Sequence, residues 1–406
     1  MAEIMEKAAI DFKLDRSSWE PVKFGDVAIQ QKQSVDRENT SITRYVKGEH
    51  MGSEDFHLRE WGELEDEYLG PAFIRRFEEG DILYGSRRTY LKKVVVAPFE
   101  GITSNTTFVI KPHEDRLDKR LLPFIMLSKG FTDHSVRNSK GSVNPYINWK
   151  DIANYEFLLP QKDQQSKLAE LLWAMDAVVE NELTLWEDLD SYSKNLEMKK
   201  FTQLWQDVKN GKIKAPKLEE LITTPVCNGV FKKREEFGSG TLLINVTDVY
   251  KSFRVRPDTL DRVDLHSKEK ESFSALPGDV IFNRSSLVKE GVGHTCLVPE
   301  NKEEMVFECH LMRTRPNPKT LNSAYLNRYC LSPFGRNYLM SRSQTTTMTT
   351  LNQTGLNKMP IPLPDIIEQC DFSDMIDRID ELKESTISKV ESSQSLQKLL
   401  INQVFS

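Results

Sequence analysis

The stretch LPQKDQQSKLAELLWAMD, starting at Leu159, returns 204 residues later as LPDIIEQCDFSDMIDRID, starting at Leu363. Both copies open on Leu-Pro and place a Gln six residues after the Leu (Gln165, Gln369). Apolar residues then coincide at Leu168/Phe372, Leu171/Met375, Leu172/Ile376 and Met175/Ile379, and Asp176 and Asp380 close the two copies. A Leu-Pro pair recurs by chance; a matched turn followed by a matched apolar stripe does not. With the same offset Leu127-Ser128 falls on Leu331-Ser332, Asn148 on Asn352, and FVIKP (108–112) on MRTRP (312–316). Upstream the offset drops to 198, where GDILYGSRR at Gly80 meets GDVIFNRSS at Gly278, as a surface-loop insertion of six residues produces. Internal periodicity of this kind marks a tandem duplication. The expected order is globular unit, long helix, globular unit, long helix, with boundaries at 1–160, 161–214, 215–364 and 365–406.

The segments after each Leu-Pro are the clearest elements. From Asp163 a stripe of Leu168, Leu172, Met175, Val179, Trp186, Leu189, Leu196, Leu204 and Val208 recurs at three- and four-residue steps, with no Gly or Pro before Gly211. That spacing predicts one helix of about 46 residues, about 70 Å long at 1.5 Å per residue. The second copy repeats the stripe with Phe372, Met375, Ile379, Leu382, Val390 and Leu400. One small domain cannot cover so long a stripe, so the two helices are expected to pair as an antiparallel coiled coil; the alternative is two separate helices docking on their own domains. The globular units read as mixed α and β. LKKVVVAPF (91–99), TFVIK (107–111), TLLINVTDV (241–249) and HTCLVP (294–299) have the β-branched character of strands, and 119–136 and 321–340 have helical spacing. The fold class is therefore α+β, a pseudo-twofold duplication of mixed units alternating with long helices.

Composition excludes several classes. No window approaches 18 apolar residues, so no membrane span is expected. The N-terminus, MAEIMEKAAIDFKLDRSSW, lacks the basic region and apolar run of a signal peptide. Five cysteines (Cys227, Cys296, Cys309, Cys330, Cys370) form no C-x-x-C, which fits a reducing cytoplasm without disulfides. No phosphate-binding G-x-x-x-x-G-K loop occurs, and Gly291-Val-Gly293 lacks the third glycine of a dinucleotide fingerprint. Asn144-Pro145-Tyr146 is a fragment of the loop with which amino-methyltransferases hold a flipped base, but lacks its second proline. Cys309-His310 has no second pair nearby, so no metal is expected. Acidic residues Glu63, Glu65, Asp66 and Glu67 beside Trp61 read as a solvated loop. No catalytic set and no cofactor are expected.

What remains is a recurrence of basic and polar loops at equivalent places. After the first Gly-Asp come Arg87, Arg88, Tyr90, Lys92 and Lys93; after the second come Asn283, Arg284, Ser285 and Lys289. Ahead of the junctions stand Arg137 and Lys140, then Arg342 and Gln344 with a Thr-rich run to Asn352. Such side chains grip phosphates and read base edges. Net charge is −6 overall, −3 over residues 1–160 and +4 over 215–364, so any basic face on the first unit must be local.

This order of junctions, strand openings and polar loops resembles the specificity subunits of Type I restriction-modification systems. Glu368-Gln369 keeps the Glu-Gln of the family's junction, where the first copy has Gln164-Gln165. The resemblance implies a non-catalytic reader of double-stranded DNA, each head binding one half of a split site across an unread gap set by the helices. It also implies two modification subunits as partners, which bind the methyl donor and methylate adenine N6, and motor-nuclease subunits for cleavage. The competing readings are a two-headed coiled-coil scaffold and the DNA-reading subunit of a Type II enzyme.

Overall fold

A computed structural model describes residues 16–36, 39–233 and 236–406. Most of the N-terminal stretch inspected for a signal peptide lies outside the described residues. The chain divides into two compact units. The first gathers the chain up to Leu185 together with Thr386–Ser406, and the second is Trp186–Ser385. The division cuts through the long helices, Lys162–Lys209 and Ile366–Phe405, and does not fall at their ends.

In the first unit one sheet runs Ala28–Gln31, Thr107–Pro112, Ile82–Gly85, Val94–Val96, and a second runs Gly62–Glu63, Arg44–Val46, Gly101–Ser104, Phe73–Phe77. The second unit has the same two four-stranded sheets in the same connection order. They are Ile222–Asn228, Leu311–Pro316, Val280–Asn283, Thr295–Leu297 and Asp261–Val263, Phe237–Ile244, Met305–Phe307, Ser274–Ala275. The run TLLINVTDV is strand only to Ile244; Asn245 then starts the short helix Val246–Lys251, its N–H bonded to Asp248 at 2.9 Å. Each expected helix at 119–136 and 321–340 is two helices. They break at Ser128 and Ser332, whose hydroxyls accept from the N–H of Phe131 (3.2 Å) and Gly335 (3.3 Å). A serine at that place satisfies the orphan N–H groups of a new helix, so the chain restarts there.

The Gly-Asp pairs are turns. Gly80 and Gly278 sit at φ 84° and 85°, a region that glycine enters without strain, and each precedes a central strand. Asp81 and Asp279 are buried, and each accepts from a backbone N–H three residues back, Glu78 and Leu276, at 2.8 Å. Asp279 also takes a two-pronged bond from Arg315 (2.7 and 2.8 Å).

The repeated glutamines explain the repeated junction. Gln165 is buried; its carbonyl accepts from Asp118 N–H (2.7 Å), and its amide donates to the carbonyls of Arg116 (3.1 Å) and Pro160 (2.9 Å). Gln369 does the same with Asn322 (2.9 Å), Thr320 (3.1 Å) and Pro364 (2.9 Å). One side chain thus ties the start of the long helix to the Leu-Pro turn and to the loop ahead of the helical pair. Only a neutral amide offers an acceptor and two donors together.

Within each unit, two helix segments lie side by side. In the first, Leu168, Leu172 and Met175 are buried in one core with Leu400, Ile401, Val404 and Phe405, and Val179 and Val390 are buried as well. In the second, Lys200 pairs with Glu368 (2.5 Å) and Lys383 with Asp190 (2.7 Å), a register that runs antiparallel. Phe372, Ile376 and Ile379 are buried there, and Leu189 and Leu196 pack against that core half-buried, as Trp186 is half-buried. Met375 and Leu382 depart from expectation: they are 41% and 55% exposed. At about 100° per residue they sit at the margin of the stripe centred on Phe372, Ile376 and Ile379.

A loop in the first unit is clamped to its helix by charge. His57 Nε2 meets Asp176 at 2.9 Å, and Arg59 forks onto Glu180 (2.7 and 3.1 Å) while also holding Asp55 (2.8 Å). The hydrogen bond to Asp176, outweighing burial, holds the His57 pKa above its ordinary value. A raised folded-state pKa contributes stability that is fully present below the unfolded value of about 6.5 and is lost as pH rises through the folded value. Thermal midpoints of the wild type are therefore expected to fall from about pH 6 to about pH 8 relative to a His57→Gln variant, which lacks this group. Parallel pH profiles would show that the clamp contributes nothing.

Candidate nucleic-acid interface

The loops singled out in the sequence converge on one small structure in each unit. In the second it is a three-stranded ribbon of Ser285–Ser286, Thr349–Thr350 and Gln344–Thr345, in which Ser285 and Gln344 both lie opposite Thr350. In the first, Arg87 and Lys140 both form bridges to Tyr146. By the repeat offsets Arg87 corresponds to Ser285, Lys140 to Gln344 and Tyr146 to Thr350. The anchoring bonds correspond too: Ile147 N–H donates to Ser86 O (2.9 Å) and Leu351 N–H to Arg284 O (2.8 Å). The backbone scaffold is shared while the side chains on it differ.

Arg87, Arg88, Tyr90, Arg137 and Lys140 are exposed on the first unit. Arg88 is held at φ 51° with its N–H on Pro145 O (2.6 Å) and its guanidinium on Asn144 Oδ1 (3.1 Å), so this loop is tied to the Asn144-Pro145-Tyr146 segment. Lys92 and Lys93 are turned inward and half-buried, bonded to Glu54 and to the Gly48 carbonyl. Beside the ribbon an open groove is lined by Lys32, Arg87, Asn105, Tyr146, Trp149 and Lys150. Cations and aromatic faces in one groove suit a phosphate backbone with bases or sugars against it.

On the second unit Lys289, Arg342 and Gln344 are exposed and Arg284 is half-buried. Asn283 and Ser285 are corrected by the structure: both are buried. Asn283 is the last residue of a central strand, and its amide is spent on Gly291 O (2.9 Å) and the Tyr250 hydroxyl. These two side chains shape the ribbon and do not face solvent. The residue that reading the sequence did not single out for the interface is Tyr146, which bridges both Arg87 and Lys140; the Thr-rich run supplies the strand Thr349–Thr350. The only local signal was polar composition, because bridges between segments about 60 residues apart leave no spacing to count. Tyr45 and Lys47 also escaped notice; both bond Glu67, so the acidic run beside Trp61 is partly paired.

Residues 16–189 match the family described as Type I restriction modification DNA specificity domain. A curated relative, the Type I restriction enzyme EcoDI specificity subunit of Escherichia coli, is 30% identical over 110 residues. That alignment covers 26% of this chain and 24% of the relative, so it spans about a quarter of the relative's length. Over residues 16–189 the chain is similar to the Type I specificity subunits. The whole-chain fold agrees. A solved Type I restriction-modification system S subunit from M. genitalium superposes with a TM-score of 0.60 at 13% identity, covering 96% of each chain. A chain from a structure on complex assembly and conformational transition of the type I R-M system gives 0.56 at 17% identity, covering 95% of this chain and 97% of that one. At these identities the likeness is one of fold, and it extends over the second unit, of which the family match reaches only the first few residues. No helix among the described residues is long and apolar enough to cross a membrane.

Proposed function

We propose that this chain is the DNA-sequence-recognition subunit of a Type I restriction-modification complex and is itself non-catalytic. Each unit reads one half of a split site in double-stranded DNA through its ribbon and flanking loops, and the long helices set the unread gap. The observation that carries the reading is the polar ribbon built twice on one backbone plan with different side chains: Arg87, Lys140 and Tyr146 in one unit, Gln344 and Thr350 over the buried Ser285 in the other. A duplicated scaffold with unlike reading residues is what recognition of two unlike half-sites requires. Exposed apolar side chains Ile367, Met375 and Leu382 fall within about 80° of arc on the second long helix, and they support a contact with the modification subunits there. Motor-nuclease subunits join the complex for cleavage. The assembled system carries the nuclease and adenine-N6 methyltransferase activities in those partners, and the chain works in the cytoplasm.

The test is an adenine-methylation map of cells with and without the gene. Loss of one split motif on deletion is the expected result; identical maps in cells that express the modification subunit would remove the reading. With the assembled complex, the double substitution Arg87→Glu and Lys140→Glu is expected to weaken binding to the identified site about 10- to 100-fold and to flatten its salt dependence. Unchanged affinity would take both residues off the interface.

A further inference from the structure

The turn joining Met305–Phe307 to Leu311–Pro316 carries three consecutive donors, Glu308, Cys309 and His310, whose ligating atoms all lie within 4.8 Å of one another. Along the sequence only the Cys-His pair drew attention, because the search was for a second pair elsewhere. The turn itself supplies the third donor. Leu311 N–H donates to Glu308 O (3.0 Å) and Arg284 N–H to His310 O (3.0 Å), which brings the three side chains to one side. In the first unit the equivalent positions are Ser104, Asn105 and Thr106, and Ser86 N–H makes the same bond to Thr106 O (3.3 Å). The fold therefore closes this turn without any of the three donors.

Glu308 and Cys309 are half-buried, and among the described residues neither forms a salt bridge; the Cys309 thiol points at the Glu308 carboxylate at 3.8 Å. A carboxylate, a thiolate and an imidazole are the donor set that borderline divalent cations select. The Arg284 guanidinium holds the turn, its Nη1 3.5 Å from Cys309 O.

We propose that Glu308, Cys309 and His310 bind one zinc-class divalent cation, with the fourth tetrahedral position open to water. Binding forms metal–oxygen, metal–sulfur and metal–nitrogen bonds and releases the Cys309 proton to solvent; the thiolate and carboxylate then balance the two positive charges. Bonds of about 2.0–2.3 Å place tetrahedral donors roughly 3.3–3.8 Å apart, so three atoms that lie within 4.8 Å of one another have to draw closer to hold one ion.

The experiment is a cobalt(II) titration of the untagged full-length chain, followed by near-ultraviolet and visible absorption. It needs no DNA, so its result is independent of the recognition reading. One equivalent is expected to bind, with a sulfur-to-cobalt charge-transfer band that zinc bleaches. Cys309→Ser removes the band, and His310→Ala, at an exposed position, weakens binding about tenfold or more. Cys227→Ser and Cys370→Ser leave both unchanged. Absence of the band in the wild-type chain, or its survival in Cys309→Ser, overturns the site.

Discussion

Replacing Gln369 with Leu is expected to lower the unfolding free energy of the second unit by about 3–5 kcal/mol, a large fraction of what holds most domains together. Leu fills nearly the same volume, so no cavity opens and the loss is polar. The Asn322 N–H and the carbonyls of Thr320 and Pro364 all lose their partner at once. Each orphaned buried group costs about 1–3 kcal/mol, and the lower end applies where water can reach the loop. Gln369→Glu separates this account from simple packing. Its carboxylate still accepts from Asn322 but faces two carbonyl oxygens with nothing to donate, so it is expected to be as damaging near neutrality and partly rescued in acid, when the carboxyl is protonated. Gln165→Leu should do the same to the first unit through Asp118, Arg116 and Pro160. Urea unfolding supplies the energies, and amide exchange at Asn322 and Asp118 assigns each loss to its unit. A cost below about 1 kcal/mol for both Leu variants would mean that the junction is held by the helix stripe alone.

The junction was legible because its chemistry is local and occurs twice. Leu-Pro, Gln165 or Gln369 and the stripe beginning at Leu168 or Phe372 fall within one short window, and the repeat doubles a signal too weak to read once. Helix length followed from the missing Gly and Pro, the strand Thr107–Pro112 from its β-branched residues, and Leu311–Pro316 from the 204-residue offset that lays it on that strand. The breaks at Ser128 and Ser332 were not legible, since the apolar spacing continues across them and only the hydroxyl-to-amide bonds reveal the restart. The candidate interface was legible as composition but not as geometry. Arg87 and Lys140 were singled out by charge; the bridges of both to Tyr146 depend on a fold that brings distant segments together. Asn283 was misplaced for a related reason. A polar residue after a strand reads as a loop residue until the strand is seen to include it, with Gly291 and Tyr250 consuming its amide.

Arg328→Met is expected to cost the second unit about 3–5 kcal/mol, and a concerted triple replacement to recover that loss. The Arg328 side chain is 3% exposed. It lies 4.0 Å from the centre of the Phe253 ring and is bonded to Glu197 (3.1 Å), Asp380 (3.0 Å) and Asp377. Burial opposes its charge, but the three carboxylates more than offset that and hold the guanidinium above its ordinary pKa; burial likewise pushes the Glu197 carboxyl up. Methionine keeps the bulk and strands the carboxylates, which is the costly way to break a buried ion cluster. The first unit shows that the same place can be filled without charge. Phe124, Trp173 and Ile401 stand at the positions of Arg328, Asp377 and Glu197. Phe56 corresponds to Phe253: the Phe56 carbonyl accepts from Val96 as that of Phe253 does from Leu297, at 2.8 and 3.0 Å. There Phe56, Phe124 and Trp173 meet edge-on with ring centres 5.2 to 5.4 Å apart. Importing that set as Arg328→Phe, Asp377→Trp and Glu197→Ile exchanges a desolvated ion cluster for apolar packing, while Asp380 keeps Lys383 at 3.6 Å and the half-exposed Arg254 turns to water. Such exchanges are commonly neutral or stabilising by about 1–4 kcal/mol. Chemical denaturation of the single, the triple and the wild-type chain decides the matter. A triple variant as unstable as Arg328→Met would mean that the ion cluster is required by the second unit's backbone and is not one of two interchangeable solutions to the same packing site.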